Sequence, residues 1–543
     1  MTASVARHGA AALQVTVVEP LPEATTVDDV VLLHGWGTDS RIWRDLVPRL
    51  RHRCRVHLLD LPGFGVNASC HLWHDEGALI AALAAALPAS SHLVGWSLGG
   101  NIALALAARW PERVRSLTLV ACNPSFVTRD GHPAAMARAV FDNFVGALRR
   151  SPRRALSRFE QLQCRGDRGE KALLQALRGL PGVVPGDANW ALMDALVFLG
   201  QVDQRQMLSA PGPGLPSPLF ILGEADQLVP AALAPDLGRV TVLPGVAHLP
   251  MLAEPEALAG LVLDEIRSHP DEASVRRKQR VAHSFSRAAR TYDSVAALQR
   301  AVGDSLLQRG LGEAPASGTG LGVDLGCGTG LLLRQLRELQ PARQWLGGDI
   351  ALGMLQHIRA QAPAGQGQLL VLDAERLPLV EASVELLFSN LALQWCEDLE
   401  AMFCEAARVL VPGGRLVFST LVHGTLGELR EAWSAVDEHA HVNHFYGEQQ
   451  WSRAAARAGL QSLSWQQELR VTRYREVAEL VHELKALGAH HINQGRATGL
   501  TGRSHWRTLR RAYDARRTAD GMLPASWCLL YGVLEKPTSG DAQ

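Results

Sequence analysis

The sequence predicts an α/β protein of two consecutive domains, each a mostly parallel sheet flanked by helices. Three observations carry that expectation. At 543 residues the chain is too long for one hydrophobic core. Short β-branched runs alternate with Ala- and Leu-rich helical stretches, and this rhythm runs twice. Between the two runs lies RSHPDEASVRRKQRVAHSF, residues 267–285, polar and basic with a proline near its start. The boundary is expected near residue 270, giving domains 1–270 and 271–543.

Composition narrows the class of partner. Hydrophobic content of 47% and charged content of 20% are ordinary for a folded globular chain. Basic and acidic residues balance at 54 each, so no global field favours nucleic acid or a membrane, and neither is expected as a partner. Eight cysteines are scattered without a C-x-x-C pair or Cys/His ligand spacing, so neither disulfides nor a metal site is expected. The N-terminus has no long apolar segment and no stretch is apolar enough to span a bilayer; the expected location is cytoplasmic.

In chain order the first half offers the runs VVLLHG, RVHLLD, SHLVGWS, SLTLVA, SPLFILG and RVTVLPG. Near-continuous apolar runs of this length are expected of parallel strands covered on both faces. Residues 123 to about 210 break the rhythm with Ala, Leu and Arg at helical spacing, a helical insertion expected to sit as a lid over the strand C-termini. PGPGLPS, residues 211–217, returns the chain to the sheet.

VGWSLGG sets Ser97 between Gly95 and Gly99, directly after a strand and directly before an Ala-rich helix. So sharp a turn strains the serine backbone and needs small neighbours, which is the nucleophile-elbow pattern. A hydroxyl is a weak nucleophile at neutral pH and needs a base, itself oriented by a carboxylate. Asp226 follows SPLFILG in GEADQLVP, and His248 follows RVTVLPG in VAHLP. The order Ser, Asp, His, each just beyond a strand, is that of the α/β-hydrolase fold, and the three are expected to form a catalytic triad. LLHGWGTDS, residues 32–40, closes an early strand with glycines around Trp36. The backbone N–H groups of Trp36 and Leu98 are the expected oxyanion donors, with His34 structural beneath the loop.

The second half continues with LGVDLG, WLGGDI, LLVLDA, VELLFSN and GRLVFST as strands. LGVDLGCGTG ends a strand in Asp324, and Gly326, Gly328 and Gly330 follow at alternate positions. Asp349 closes WLGGDI, where a carboxylate can accept both ribose hydroxyls. Asp373 closes LLVLDAERLPL, placed to accept from an adenine amino group. A dinucleotide site shares the first of these carboxylates but needs a helix N-terminus facing a pyrophosphate. Asp before the first glycine resembles instead the class I methyltransferases, a Rossmann-like fold. That resemblance implies S-adenosyl-L-methionine as cofactor, its methionine end held by Asp324 and the loop backbone at Gly326 and Gly328. FSNLALQWCEDL (388–399) and EAARVLVPGGRLVFST (405–420) stand where that family carries its fourth- and fifth-strand motifs, and Asn390 in the first joins the cofactor set.

Narrower resemblances follow from longer motifs. LLHGWG, LLDLPGFG, GWSLGGNIALALAARWPERV and RFEQLQ together are similar to the pimeloyl-[acyl-carrier protein] methyl ester esterases of biotin synthesis, over residues 28–265. The resemblance implies that Phe159 and Gln163 in the lid line an acyl channel. The lid is also the most basic part of this half, RRSPRRALSRFEQLQCRGDR at 149–168, with Arg154 and Arg158 one helical turn apart. Because acyl carrier proteins are acidic, these arginines are expected to steer the carrier's arm inward. NLALQWCEDL, HSFSRAARTYDS (283–294) and LKALGAHHINQGR (484–496) are similar to the malonyl-[acyl-carrier protein] O-methyltransferases, over residues 277–535. By that resemblance Tyr292 closes over cofactor and acceptor. A cation is expected to grip the malonyl carboxylate, and Lys485 and Arg496 are the candidates; His490 and His491 are expected to be loop or packing residues. Together the resemblances imply a chain that installs a methyl ester with one half and removes one with the other. Two other readings stay open: a hydrolase and methyltransferase pair in quinone synthesis, and a carrier-binding scaffold with one inactive half.

Overall fold

In the computed structural model the apolar runs of the first half pair as β3 (Asp28–Leu33), β4 (Cys54–Leu59), β5 (Ser91–Trp96), β6 (Val114–Val120), β7 (Leu219–Gly223) and β8 (Val240–Leu243). The structure describes residues 4–6, 13–22, 24, 27–132, 134–180, 189–311, 319–361, 368–439, 441–487 and 503–538. The chain divides into two compact units, Met1–Asp271 and Glu272–Gln543.

In the first unit those strands are mutually parallel in the order β4-β3-β5-β6-β7-β8. Alternation along β3 shows why its whole run is apolar: Val30 and Leu32 enter one core layer with Trp43 and Ile266, while Val31 and Leu33 enter the other with Ile102 and Leu119. Two strands absent from the sequence expectation, β1 (Ser4–Ala6) and β2 (Val15–Val18), extend the β4 edge antiparallel. They are too short to make a period legible. Between β6 and β7 stand the helices Arg138–Arg150, Pro152–Cys164, Glu170–Arg178, Asn189–Gln201 and Arg205–Ser209.

The second unit orders its strands β11 (Gln368–Val371), β10 (Gln344–Asp349), β9 (Leu321–Leu325), β12 (Val384–Asn390), β13 (Leu410–Leu421), β15 (Leu523–Glu535) and β14 (Gln461–Tyr474). The first five are parallel, and the order reverses between β9 and β12, so the glycine loop after β9 lies at the switch point where such sheets take ligands. β14 and β15 are antiparallel and were not among the expected strands. The edge strand β14, QSLSWQQELRVTRY, is polar and largely exposed, which hides it from an apolar-run reading. One face of the sheet is filled by Phe403, Phe418 and Trp451, the last two stacked at 5.6 Å. Among the described residues no cysteine is in a disulfide, and no helix is long and apolar enough to cross a membrane.

Candidate active sites

Ser97 sits between β5 and the helix Leu98–Arg109 with φ of 53°, a conformation that costs a non-glycine residue roughly 1–3 kcal/mol. Its neighbours leave no room for side chains. A Cβ at Gly95 would lie 2.4 Å from the Gly99 carbonyl oxygen, and one at Gly99 would lie 2.3 Å from the Leu33 carbonyl oxygen. The strand-to-helix turn therefore presses directly on β3, whose next residues are the loop carrying Trp36.

Asp226 and His248, following β7 and β8, meet at 2.7 Å between Oδ2 and Nδ1, both fully withdrawn from solvent. The backbone amides of Leu228 and Val229 donate to the other carboxylate oxygen at 2.8 and 3.0 Å, so the aspartate is fixed before the histidine uses it. Donation from Nδ1 leaves Nε2 as the basic nitrogen. That atom is buried and has no hydrogen-bond partner among the described residues, Ser97 Oγ included. Trp96, immediately before the serine, donates its indole N–H to the His248 carbonyl at 2.8 Å and lies 5.5 Å from its ring.

The helical insertion holds the histidine loop from the other side. The His248 amide donates to the Gln163 carbonyl at 3.1 Å, and the Arg168 amide donates to the Gly245 carbonyl at 3.0 Å. Asp167 accepts from the Ala247 amide at 3.0 Å through Oδ2 and from the Gly169 amide at 2.8 Å through Oδ1. Trp36 is buried, donates to the Leu192 carbonyl at 2.8 Å, and meets Phe159 edge-on at 5.0 Å. Leu98 opens its helix, so its N–H is one of those a helix leaves unbonded. A cavity of about 140 Å³ is walled by Gly37, Ile42, Leu156, Phe159, Gln163 and Leu180. Ser97 lies off that wall, and Gln163, bonded to the histidine loop, connects the two. Arg154 and Arg158 are exposed on the helix Pro152–Cys164, without ion pairs among the described residues. His34 accepts from the Leu61 amide through Nε2 at 2.9 Å and donates from Nδ1 to the Gly35 carbonyl at 2.9 Å, which occupies both ring nitrogens beneath the loop.

In the second unit the turn after β9 requires glycine. Gly326 has φ of 76°, and a Cβ there would lie 2.2 Å from that of Ala392. Asp324 is buried with Oδ2 unpartnered; burial pushes its carboxyl up to about 7, Asp349 adding to the rise and Arg337 opposing it. Asp324 lies off the cavity wall, next in the chain to Leu325 and Gly326 that line it, and a buried carboxylate without a paired cation is suited to an ammonium group. Asp349 accepts from the Gly328 amide at 2.9 Å and the Ala351 amide at 2.8 Å, and burial raises its carboxyl as well. Asn390 donates to the Gln299 carbonyl at 3.0 Å and accepts from Ser419 at 2.7 Å. Gly326, Gly328, Asp349, Asp373, Asn390 and Tyr292 all line one cavity, closed by Phe285 and Trp395 in edge contact at 5.2 Å. The carboxylates, apolar walls and glycine turn together fit S-adenosylmethionine, which carries an ammonium, a ribose and an aromatic base.

The cation in this cavity is one that sequence reasoning missed. Lys278, on the helix Glu272–Ala288, donates to Asp373 at 2.6 Å and pairs with Glu375 at 2.9 Å. Asp373, expected to accept from an adenine amino group, thus already accepts from Lys278. Burial opposes the charge on Lys278, but Glu375 and Asp373 outweigh it and hold the ammonium well above its ordinary range. Burial pushes Glu375 up to about 7 even so, because one ammonium serves two carboxylates. Lys485, expected to grip the acceptor, is exposed near the end of the helix Val477–Ala486 and lies off the cavity wall. Arg496, His490 and His491 lie outside the described residues. The basic run Arg276-Arg277-Lys278 is visible in the sequence, but nothing in it singles out Lys278, whose partners stand far away in sequence.

Comparison with known proteins falls along the same division. Residues 30–261 match the alpha/beta hydrolase family, and residues 323–418 match a methyltransferase domain. The chain is 41% identical over 516 residues to the biotin biosynthesis bifunctional protein BioHC of Cellvibrio japonicus, covering 94% of this chain and 99% of that one. It is 38% identical over 542 residues to the protein of the same description from Teredinibacter turnerae, covering 94% of each. A further 43% identity over 265 residues links it to the malonyl-[acyl-carrier protein] O-methyltransferase of Methylococcus capsulatus, covering 48% of this chain and 94% of that one.

Proposed function

The chain belongs to the family of bifunctional biotin biosynthesis proteins, and we propose that it divides the family's two reactions between its two units. The C-terminal unit methylates the free carboxylate of malonyl-acyl carrier protein, and the N-terminal unit hydrolyses the methyl ester of pimeloyl-acyl carrier protein. One observation supports the pairing above others: a single chain holds both a buried Asp226–His248 pair with a strained Ser97 and a glycine-loop cavity walled by Gly326, Gly328 and Asp349.

In the hydrolytic unit His248 Nε2 takes the proton of Ser97 Oγ as that oxygen attacks the ester carbonyl. Asp226 stabilises the imidazolium, and the amides of Leu98 and Trp36 receive the oxyanion. Collapse expels methanol, which takes the proton back from His248, and water then releases the free acid by the same route. In the transferase unit S-adenosylmethionine supplies an electrophilic methyl group. Asp324 holds a positive end in the cavity, Asp349 accepts from hydroxyls, and Lys278 keeps Asp373 and Glu375 in place at the far side. A carboxylate acceptor is already anionic, so positioning and exclusion of water suffice and no general base is required. Tyr292, Phe285 and Trp395 supply the apolar closure.

Methylation neutralises the malonyl carboxylate, so elongation enzymes built for apolar chains accept it, and the ester is removed once the chain has grown. The test uses the full chain. Wild type is expected to convert pimeloyl-carrier methyl ester to the free acid, and Ser97→Ala to leave it intact. S-adenosylmethionine is expected to bind both proteins equally by calorimetry. Ester turnover by Ser97→Ala, or no cofactor binding by either protein, would refute the assignment.

A further inference from the structure

The helix Glu272–Ala288 has two unlike faces. One presents Lys278, Val281 and Phe285 to the cofactor cavity, with Tyr292 following just beyond the helix end. The opposite face carries Arg280, His283 and Arg287 at i, i+3 and i+7, and Arg290 continues the row past the last turn. All four are exposed, and none has an ion pair or hydrogen bond among the described residues. Elsewhere in this unit arginines such as Arg309, Arg343, Arg408 and Arg415 sit on carboxylates. This row of unpaired cations stands on the helix that roofs the cavity.

That helix is also fastened to the site. Arg277 pairs with Glu397 at 2.6 Å and Lys278 with Asp373 and Glu375. The Gly353 amide donates to Ser286 Oγ at 3.1 Å, and a Cβ at Gly353 would lie 2.6 Å from the Ser286 carbonyl oxygen. The backbones thus touch, and the row of cations is held at a fixed place on the outside of the reaction cavity.

We propose that Arg280, Arg287 and Arg290 form the docking surface for the acidic carrier protein whose malonyl group the second unit methylates. The inference rests on the reading above that the acceptor is carried on acyl carrier protein, and it deepens that reading by naming where the carrier sits. Opposite charge recommends the occupant, and position recommends the face. A carrier seated there is separated from the cavity by one helix, about 10–12 Å across, a distance its long prosthetic arm rounds easily. Long-range attraction of this kind raises the encounter rate and is screened by salt.

The test compares two acceptors on the full chain: malonyl-carrier protein and malonyl-pantetheine, which has the arm without the protein. The variant reverses all three charges, R280E/R287E/R290E. The expected result is a tenfold or greater rise in KM for malonyl-carrier protein, with kcat, the KM for S-adenosylmethionine and the rate on malonyl-pantetheine within twofold of wild type. An unchanged KM for the carrier would overturn the proposal, and so would equal loss on both acceptors, which would place the effect inside the cavity. Should the reversal fail to fold, wild type gives a second measurement: its KM for the carrier is expected to rise steeply with salt while malonyl-pantetheine turnover stays flat. Salt-independent carrier KM would overturn the docking surface. A wild-type chain that methylates neither acceptor would instead refute the functional reading, before any variant is made.

Discussion

At Ser97 the backbone holds a strained conformation that the hydroxyl alone justifies, since Gly95 and Gly99 flank it with clearances no side chain could share. Ser97→Ala is expected to lower ester hydrolysis by on the order of 10⁴-fold or more, measured on pimeloyl-carrier methyl ester, with methyl transfer unaffected. Asp324 supplies a pH dependence. Its carboxyl is raised from 3.8 to about 7, so its contribution to stability is present at low pH and is lost as pH rises through that window. A bound ammonium favours the ionised form and reverses the cost. Cofactor binding at pH 6 is therefore expected to release a proton, seen by calorimetry in buffers of different ionisation enthalpy. The release should vanish at pH 8 and in Asp324→Asn; release independent of pH would contradict the assignment. Such residues were legible because each follows a strand end that an apolar run marks out. Lys278 was not, since its role arises only when a helix folds back on Asp373 and Glu375, and no local pattern records that.

Two fastenings decide whether the sites are in register at the scale of elements. Asp167 ties the helical insertion to the loop of His248 through the Ala247 amide. Asp167→Ala leaves a buried N–H unpaired, at a cost of about 1–3 kcal/mol. A fall in kcat for ester hydrolysis is expected, rescued in part by Asp167→Asn; unchanged kcat would show the fastening to be irrelevant to catalysis. In the other unit Lys278→Met leaves Asp373 and Glu375 without their cation at the cavity wall. The KM for S-adenosylmethionine is expected to rise about tenfold or more with kcat changed less, and Lys278→Arg to recover part of the loss. The parallel strands carrying these sites were readable as apolar runs. The edge strand β14 was not, because one exposed face mixes polar and apolar residues and its pairing with β15 some sixty positions on is a tertiary fact; the interior β15 is apolar from Trp527 to Leu534 and does carry a readable run.

For the whole molecule, joining an ester-forming and an ester-cleaving activity in one chain raises a hazard, since the hydrolase meets fresh malonyl methyl ester at high effective concentration. We attribute protection to chain length. Pimeloyl is longer than malonyl by four methylenes, and at about 0.8 kcal/mol each a channel that buries them discriminates by roughly 3 kcal/mol, or about a hundredfold. The cavity beside Phe159 and Leu156 supplies apolar wall for such a channel. We infer that one chain both installs the ester and spares it until the acyl chain has grown. Mass spectrometry of malonyl-carrier protein after incubation with S-adenosylmethionine and the full chain, wild type beside Ser97→Ala, is the decisive measurement. Methyl ester that forms and persists in both proteins is the predicted result; ester in neither, or in the variant alone, would contradict it.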